Sequence, residues 1–409
     1  MNRIFSDKEI IAFRKDTDGC SQVIHLNNAG AGLMPNTVTR TIVEHIKLES
    51  QIGGYEASAL RANAIQQFYE QAAILINCKP SNIAFTASAT DSYTRALSSI
   101  PFAQGDIILT DNDDFISNQI QFLSCKKRFG IEIVRIKNAP GGGVDLDDLE
   151  EKLIKLQPRL LAITHIPTNS GLVQPVKRIA DVYKSYIRQH AGKTWYILDA
   201  CQSIGQMKID VQELQCDFLS VTGRKFLRGP RGTGFLYISD KALEQGLEPL
   251  FIDMRGAEWI EKDEYQQRSD AMRYEDWEFA YALVLGTAKA IEYCLQIGED
   301  KIWQEVKGLS AYMRNQLSGI DKIRVLDSGP EVGGLVTFTV AGSQPKIITG
   351  ALSQRKINVV PSYRNFAVID FDEKQAQWAI RASPHYYNTI SEIDLFLDAM
   401  REIVNSSLR

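Results

Sequence analysis

Residues 195–238 read WYILDACQSIGQMKIDVQELQCDFLSVTGRKFLRGPRGTGFLYI, and this stretch decides the fold. It holds three apolar runs: Tyr196-Ile197-Leu198-Asp199, Phe218-Leu219-Ser220-Val221 and Phe235-Leu236-Tyr237-Ile238. Short apolar runs bounded by turn residues predict buried strands. The first run ends on Asp199. The second breaks into Thr222-Gly223-Arg224-Lys225, ahead of the turn Gly229-Pro230-Arg231-Gly232-Thr233-Gly234. Each of these two strand ends delivers a charge, and open α/β sheets bind ligands in the crevice outside such ends. A lysine whose pKa is lowered there can form a Schiff base. An aspartate on a neighbouring strand can balance a pyridinium nitrogen. The pair describes a site for pyridoxal 5′-phosphate (PLP). Spacing alone equally allows a surface lysine and an aspartate that caps a helix.

The wider pattern is more specific. Asp199-x-x-Gln202, then Thr222-Gly223-Arg224-Lys225, then Gly-Pro-x-Gly-x-Gly resembles the class V (cysteine desulfurase-like) branch of the fold-type I PLP enzymes. The resemblance runs from about Leu26 to about Leu397. It implies an α/β fold-type I transferase, with a mostly parallel central sheet covered by helices and a smaller C-terminal α+β domain. It implies PLP on Lys225, Asp199 at the ring nitrogen, Gln202 at the phenolic oxygen, and Thr222 and Arg224 at the phosphate. The expected organisation is an N-terminal helical arm over 1–25, a large PLP-binding domain over 26–270, and a small domain over 271–409 with a long linking helix.

Composition narrows the class. A chain of 409 residues, 44% hydrophobic and 23% charged, is long enough for two globular domains sharing a core. A net charge of −4 offers no basic face for nucleic acid. No apolar run reaches the length of a membrane span, and the first residues, MNRIFSDKEIIAFRKD, lack the apolar core of a signal peptide. Six scattered cysteines without a CxxC pair point away from zinc or thioredoxin chemistry and towards a reducing, cytoplasmic setting. No metal is expected.

Further candidates lie along the chain. In Leu26-Asn27-Asn28-Ala29-Gly30-Ala31-Gly32 the small residues predict a loop that lets backbone approach a ligand. The family carries a similar segment on the substrate side of its cleft, which makes Asn28 a candidate there. A plain turn is the alternative. Ala87-Ser88-Ala89-Thr90-Asp91 opens a helix, and exposed amides at a helix start favour an anion. The resemblance puts the cofactor phosphate on Ala89 and Thr90. Asp113-Asp114-Phe115-Ile116-Ser117-Asn118 stands where the desulfurases have Glu-His-His-x-Asn. Phe115 takes the place of the histidine that stacks on the pyridine ring, and it can stack but not transfer protons. His165-Ile166-Pro167-Thr168-Asn169-Ser170-Gly171 resembles the family's Ser/Thr-Asn-x-x-Gly, with Asn169 near the phenolic oxygen and the glycine one place early. His165 itself reads as a satisfied strand-end histidine.

In the C-terminal part, Arg273-Tyr274-Glu275-Asp276-Trp277-Glu278 departs from the family's Arg-Phe/Tyr-Glu-x-Gly-Thr, whose threonine reaches the neighbouring subunit's phosphate. Trp277 reads equally as a core anchor or an active-site residue. Arg381, at the end of Ala379-Ile380-Arg381, is the expected partner of a substrate carboxylate. Desulfurases carry a catalytic cysteine close to this arginine, whereas Cys294 is the last cysteine here. The HIPTNSG and RYEDWE segments are similar to ergothioneine-type C–S lyases and to the isopenicillin N epimerase-like subgroup. The expectation is a homodimeric enzyme acting on an amino acid through a Schiff base. The expected reaction is a C–S β-lyase on a cysteine S-conjugate or sulfoxide that gives pyruvate and ammonia. A class V aminotransferase, an epimerase and a cysteine desulfurase-like protein are the alternatives.

Overall fold

In the computed structural model, which describes residues 3–190 and 194–406, the three quoted runs are neighbouring strands of one sheet. That sheet holds β1 (Ile83–Thr86), β2 (Ile107–Thr110), β3 (Glu132–Arg135), β4 (Leu160–Thr164), β5 (Trp195–Asp199), β6 (Phe218–Thr222) and β7 (Gly234–Ile238). The order is β1-β7-β6-β5-β4-β2-β3. β2 through β6 are parallel, and β7 is antiparallel to both neighbours. Every residue of β4 to β7 is buried. Helices cover both faces, so these strands carry no polar alternation in sequence. Asp199 is in register with Thr164 on one side and Ser220 on the other, which sets the carboxyl ends of β4, β5 and β6 side by side.

The turn after β6 is rigid for identifiable reasons. Gly223 donates to Thr233 O and Gly229 to Gly223 O, at 3.0 and 2.7 Å. A Cβ at Gly223 would collide with the Thr233 side chain. Gly232 adopts φ +85°, a conformation that favours glycine. These contacts fix where Lys225 leaves the strand.

A second, antiparallel sheet contains β8 (Ile323–Val325), β9 (Val336–Val340), β10 (Val360–Tyr363) and β11 (Trp378–Ala382), in the order β8-β9-β11-β10. Leu309, Met313, Ile348, Phe396 and Met400 from three helices pack on Phe338 and Ile380 of this sheet. One of those helices, Glu299–Ser318, is not anticipated by the sequence reading.

The domain edges differ from the expected ones. Residues before 26 are not a separate arm. Helix Asp7–Lys15 forms, with a Ser6–Glu9 capping box. However, Phe5 and Ile10 are buried, and Arg3 bonds Glu305 and Asn388 O of the C-terminal part. Ile24–His25 pairs in parallel with Ile357–Asn358, so a short strand does precede the Asn-Asn-Ala-Gly loop. Helix Tyr281–Ile297 packs against Asn36–Ile52 and Ala62–Ile76, which attaches it to the large domain. Residues 54–76 form two helices, Gly54–Leu60 and Ala62–Ile76, broken at Arg61.

Candidate active site

A cleft of about 570 Å³, counted out to its mouth, opens at the carboxyl ends of β4, β5 and β6. Ala89, Thr90, Phe115, Asp199, Gln202, Thr222, Arg224 and Lys225 line it, all from the sequence-derived set. Asn118, Thr164, Ile166, Thr168 and Cys201 line it too and were not singled out.

The cleft carries an excess of unpaired positive charge. Among the described residues Arg224 and Lys225 in the wall, and Arg381 bonded to the wall residue Thr168, make no ion pair, while Asp199 is the acidic group in the wall. Lys225 is 8% exposed and donates no hydrogen bond; its Nζ stands 6.0 Å from the Phe115 ring centroid. Burial pushes its ammonium down to about 8, and Arg224 and Arg381 repel it further, while Cys201 and Asp199 pull the other way. Arg381 is pushed down to about 10, by burial first and then by Arg224. Buried cations without partners are costly, so the site is built for an anion.

The two ends of the cleft suit different groups. At one end, helix Ala89–Ser99 begins with Ser88 as N-cap, its hydroxyl accepting from Asp91 N. The amides of Ala89 and Thr90 have no acceptor among the described residues, and the Thr222 and Arg224 side chains stand beside them in the wall. Amides at a helix start plus a guanidinium suit a phosphate. At the other end the Gln202 Oε1 is buried and unpartnered, because its amide nitrogen is spent on Ala29 O and Thr168 Oγ1 at 3.2 and 3.0 Å. Between them lies Asp199, whose oxygens accept from Cys201 N at 2.9 Å and Asn118 Nδ2 at 3.1 Å. Asn118 is oriented by Asp114, which also accepts from Thr164 Oγ1 at 2.5 Å and Gln119 at 2.8 Å. Burial raises the Asp114 carboxyl to about 6 and Asp111 well above the carboxylate range. Phosphate cradle, aromatic face, aspartate and lysine together fit PLP.

Three expectations are corrected by the packing. Asn28 does not face the cleft: it is fully buried, its Nδ2 bonds Ser383 O at 2.8 Å, and its Oδ1 accepts from Tyr387. Its neighbour Asn27 is the one near Arg381, at 3.5 Å. Asn169 turns to the small domain, accepting from Ser362 Oγ and reaching Phe366 O at 3.4 Å, so Thr168 rather than Asn169 forms the wall. Trp277 is no core anchor, being 49% exposed. In addition, His165 is not hydrogen-bonded through Nδ1, and burial pushes its imidazolium down to about 3. A signal for Asn118 exists in the sequence, since an amide in the first turn of the helix that follows Asp114 can reach back to that carboxylate. No comparable signal marks Thr168 or Cys201.

Comparison with known proteins agrees with this geometry. A family model described as aminotransferase class-V matches residues 24–396. A probable cysteine desulfurase of Pyrococcus abyssi is 27% identical over 96% of this chain and 97% of its own. Another, of Methanothermobacter thermautotrophicus, is 27% identical over 95% and 97%. The apo cysteine desulfurase of Thermococcus onnurineus NA1 superposes with a TM-score of 0.88 at 24% identity, over 99% of this chain and 100% of that one. The cystine C–S lyase C-DES, solved with cysteine persulfide, gives 0.83 at 23% identity, over 94% and 99%. A variant of C-DES carries glycine covalently linked to its PLP cofactor. The chain belongs to the class-V aminotransferase family and is a PLP-dependent, cysteine desulfurase-like enzyme of fold-type I architecture.

Proposed function

We propose that this enzyme is a C–S β-lyase acting on a cysteine S-conjugate or its sulfoxide. For a thioether the balance is R–S–CH2–CH(NH3⁺)–CO2⁻ plus water to R–SH, pyruvate and ammonium. When bound, PLP supplies an electron sink for the carbon that bears the amino group. Asp199, held by Cys201 N and Asn118, would keep the ring nitrogen protonated. Phe115 would offer its aromatic face to the ring, and Ala89, Thr90, Thr222 and Arg224 would hold the phosphate. Arg381 would take the substrate carboxylate. Lys225 would carry the cofactor and, once released as a buried amine with a lowered pKa, would take the proton from the α-carbon. The bond from the β-carbon to sulfur breaks, and sulfur leaves with the electron pair.

The observation that carries this reading is the placement of the thiols. The small-domain strand that touches the cleft wall, β11 with Arg381 on Thr168, contains no cysteine. The thiol in the cleft wall, Cys201, is 7% exposed beside Asp199, and burial together with that carboxylate raises it well above the ordinary thiol range. A thiol held protonated is a poor sulfur acceptor, so expelling sulfur as a leaving group is favoured over capturing it. The likeness to C-DES, a cystine C–S lyase, points the same way. The relatives called probable cysteine desulfurases favour a second reading, sulfur removal from free cysteine with alanine as product.

Incubating the holoenzyme with cysteine, cystine and a cysteine S-conjugate sulfoxide, without a keto acid, tests both. The lyase reading expects pyruvate and ammonia in equal amounts over many turnovers. Alanine from cysteine would establish the desulfurase reading. A single conversion of the cofactor to its pyridoxamine form would make the protein an aminotransferase.

A further inference from the structure

Arg381 is held at one end only. Its Nη1 donates to Thr168 O at 2.9 Å and to Thr168 Oγ1 at 2.7 Å. Its Nη2 has one long contact, 3.5 Å to Asn27 Oδ1, and its buried Nε has no partner. The Thr168 hydroxyl is itself fixed, because Gln202 Nε2 donates to the same oxygen at 3.0 Å. The orientation of the Gln202 amide is set from its other side, where Ala29 O accepts at 3.2 Å. A carbonyl can only accept, so the nitrogen must face it. The two donors, Gln202 and Arg381, therefore converge on one threonine oxygen in the cleft wall.

We infer that Thr168 is a positioning residue for the substrate carboxylate, and that it acts through Arg381. By occupying Nη1 it leaves the Nε–Nη2 edge of the guanidinium without a close partner, and that edge is the one a carboxylate grips with two parallel bonds. The unpartnered Nε is then a donor kept for the ligand, since a buried charged donor without an acceptor is otherwise a penalty. The chain Ala29 O–Gln202–Thr168–Arg381 links the wall under the cofactor to the small domain, because Arg381 belongs to β11. The enzyme would thus select amino acids by a free α-carboxylate. This inference rests on Arg381 being the carboxylate partner.

The test is binding to the holoenzyme, read from the cofactor's absorption spectrum on titration with L-alanine and with L-alaninamide, which lacks the carboxylate. T168V keeps the volume but removes the hydroxyl. It should weaken L-alanine about tenfold, the range expected for losing hydrogen bonds to a charged group. L-Alaninamide should change by less than about threefold, and T168S should restore L-alanine to within about threefold. T168A is carried in parallel, so that a packing failure of the valine does not decide the result. In an R381Q background T168V should add nothing, as residues acting through one another are not additive. Unchanged L-alanine binding in both T168V and T168A would overturn the role of Thr168. So would a T168S as weak as T168V, or full additivity with R381Q. An R381Q enzyme that binds L-alanine like the parent would overturn the carboxylate assignment beneath it, and the inference with it.

Discussion

Lys225 and Arg228 stand three residues apart on one turn, and both are buried cations without an ion-pair partner among the described residues. Their surroundings differ completely. Arg228 donates Nε to Leu33 O at 2.7 Å, Nη2 to Thr17 Oγ1 at 2.6 Å and Nη1 to the Tyr386 hydroxyl. The rings of Tyr387 and Tyr386 lie 4.5 and 5.2 Å from its Cζ. Burial opposes its charge, yet Tyr386, Tyr387 and Tyr293 hold it above the ordinary arginine range. Lys225 has only a distant Phe115 ring, and burial drives it down to about 8. A structural cation is surrounded by acceptors and aromatic faces. A functional one is left short of them, so that a ligand completes the site. The Ser-Pro-His-Tyr-Tyr-Asn stretch at 383–388 belongs to the first kind. His385 Nε2 lies 2.7 Å from Phe226 O, and Tyr386 holds Arg228, so the small domain grips the turn that carries Lys225 on its C-terminal side.

The comparison can be broken at either residue. K225A should lower turnover by at least about 10³-fold, because both the cofactor anchor and the general base are removed. Its melting temperature in cofactor-free protein should equal or exceed that of the parent, as read by calorimetry. A marked loss of stability would mean that Lys225 is structural after all. R228M should behave in the opposite sense. It leaves the Thr17 and Tyr386 hydroxyls and Leu33 O without their donor, and should lose about 3 kcal/mol in urea unfolding. A loss under about 1 kcal/mol would contradict the claim that Arg228 is the satisfied cation.

A smaller effect sharpens the contrast through pH. In cofactor-free protein the folded-state pKa of Lys225 lies below its unfolded value of 10.5. The unfolded chain therefore binds the extra proton between about 8 and 10.5, and the penalty from Lys225 is full below 8 and fades as pH rises through that window. K225M should accordingly be more stable than the parent at pH 7, with the difference shrinking towards pH 10.5. A pH-independent difference, measured by urea unfolding at several pH values, would tie the gain to packing instead.

How much of this was legible in the sequence follows from where the determinants lie. β5, β6 and β7 announced themselves because full burial makes a strand an uninterrupted apolar run. Lys225, Asp199, Phe115 and the Ala89–Thr90 helix start could be found because strand ends and caps are local features. Asn28 and Asn169 were misplaced for a physical reason. Each is an amide in a loop, and its direction is decided by distant partners, Tyr387 and Ser383 for one and Ser362 for the other. Thr168 escaped notice because its role exists only where Gln202 and Arg381 meet it, 34 and 213 residues away along the chain. Helix Glu299–Ser318 carries the stripe Ile302, Val306, Leu309 and Met313, but only Gly298 separates it from the apolar helix Tyr281–Ile297, so the two run together in the sequence pattern.

The most direct test of the account is to reduce the holoenzyme with borohydride, which fixes the cofactor to the lysine that carries it, and to map the modified peptide by mass spectrometry. The account predicts one pyridoxyl group per chain, on Lys225 and on no other lysine. A label on a different lysine, or an unlabelled Lys225 in fully loaded enzyme, would contradict it.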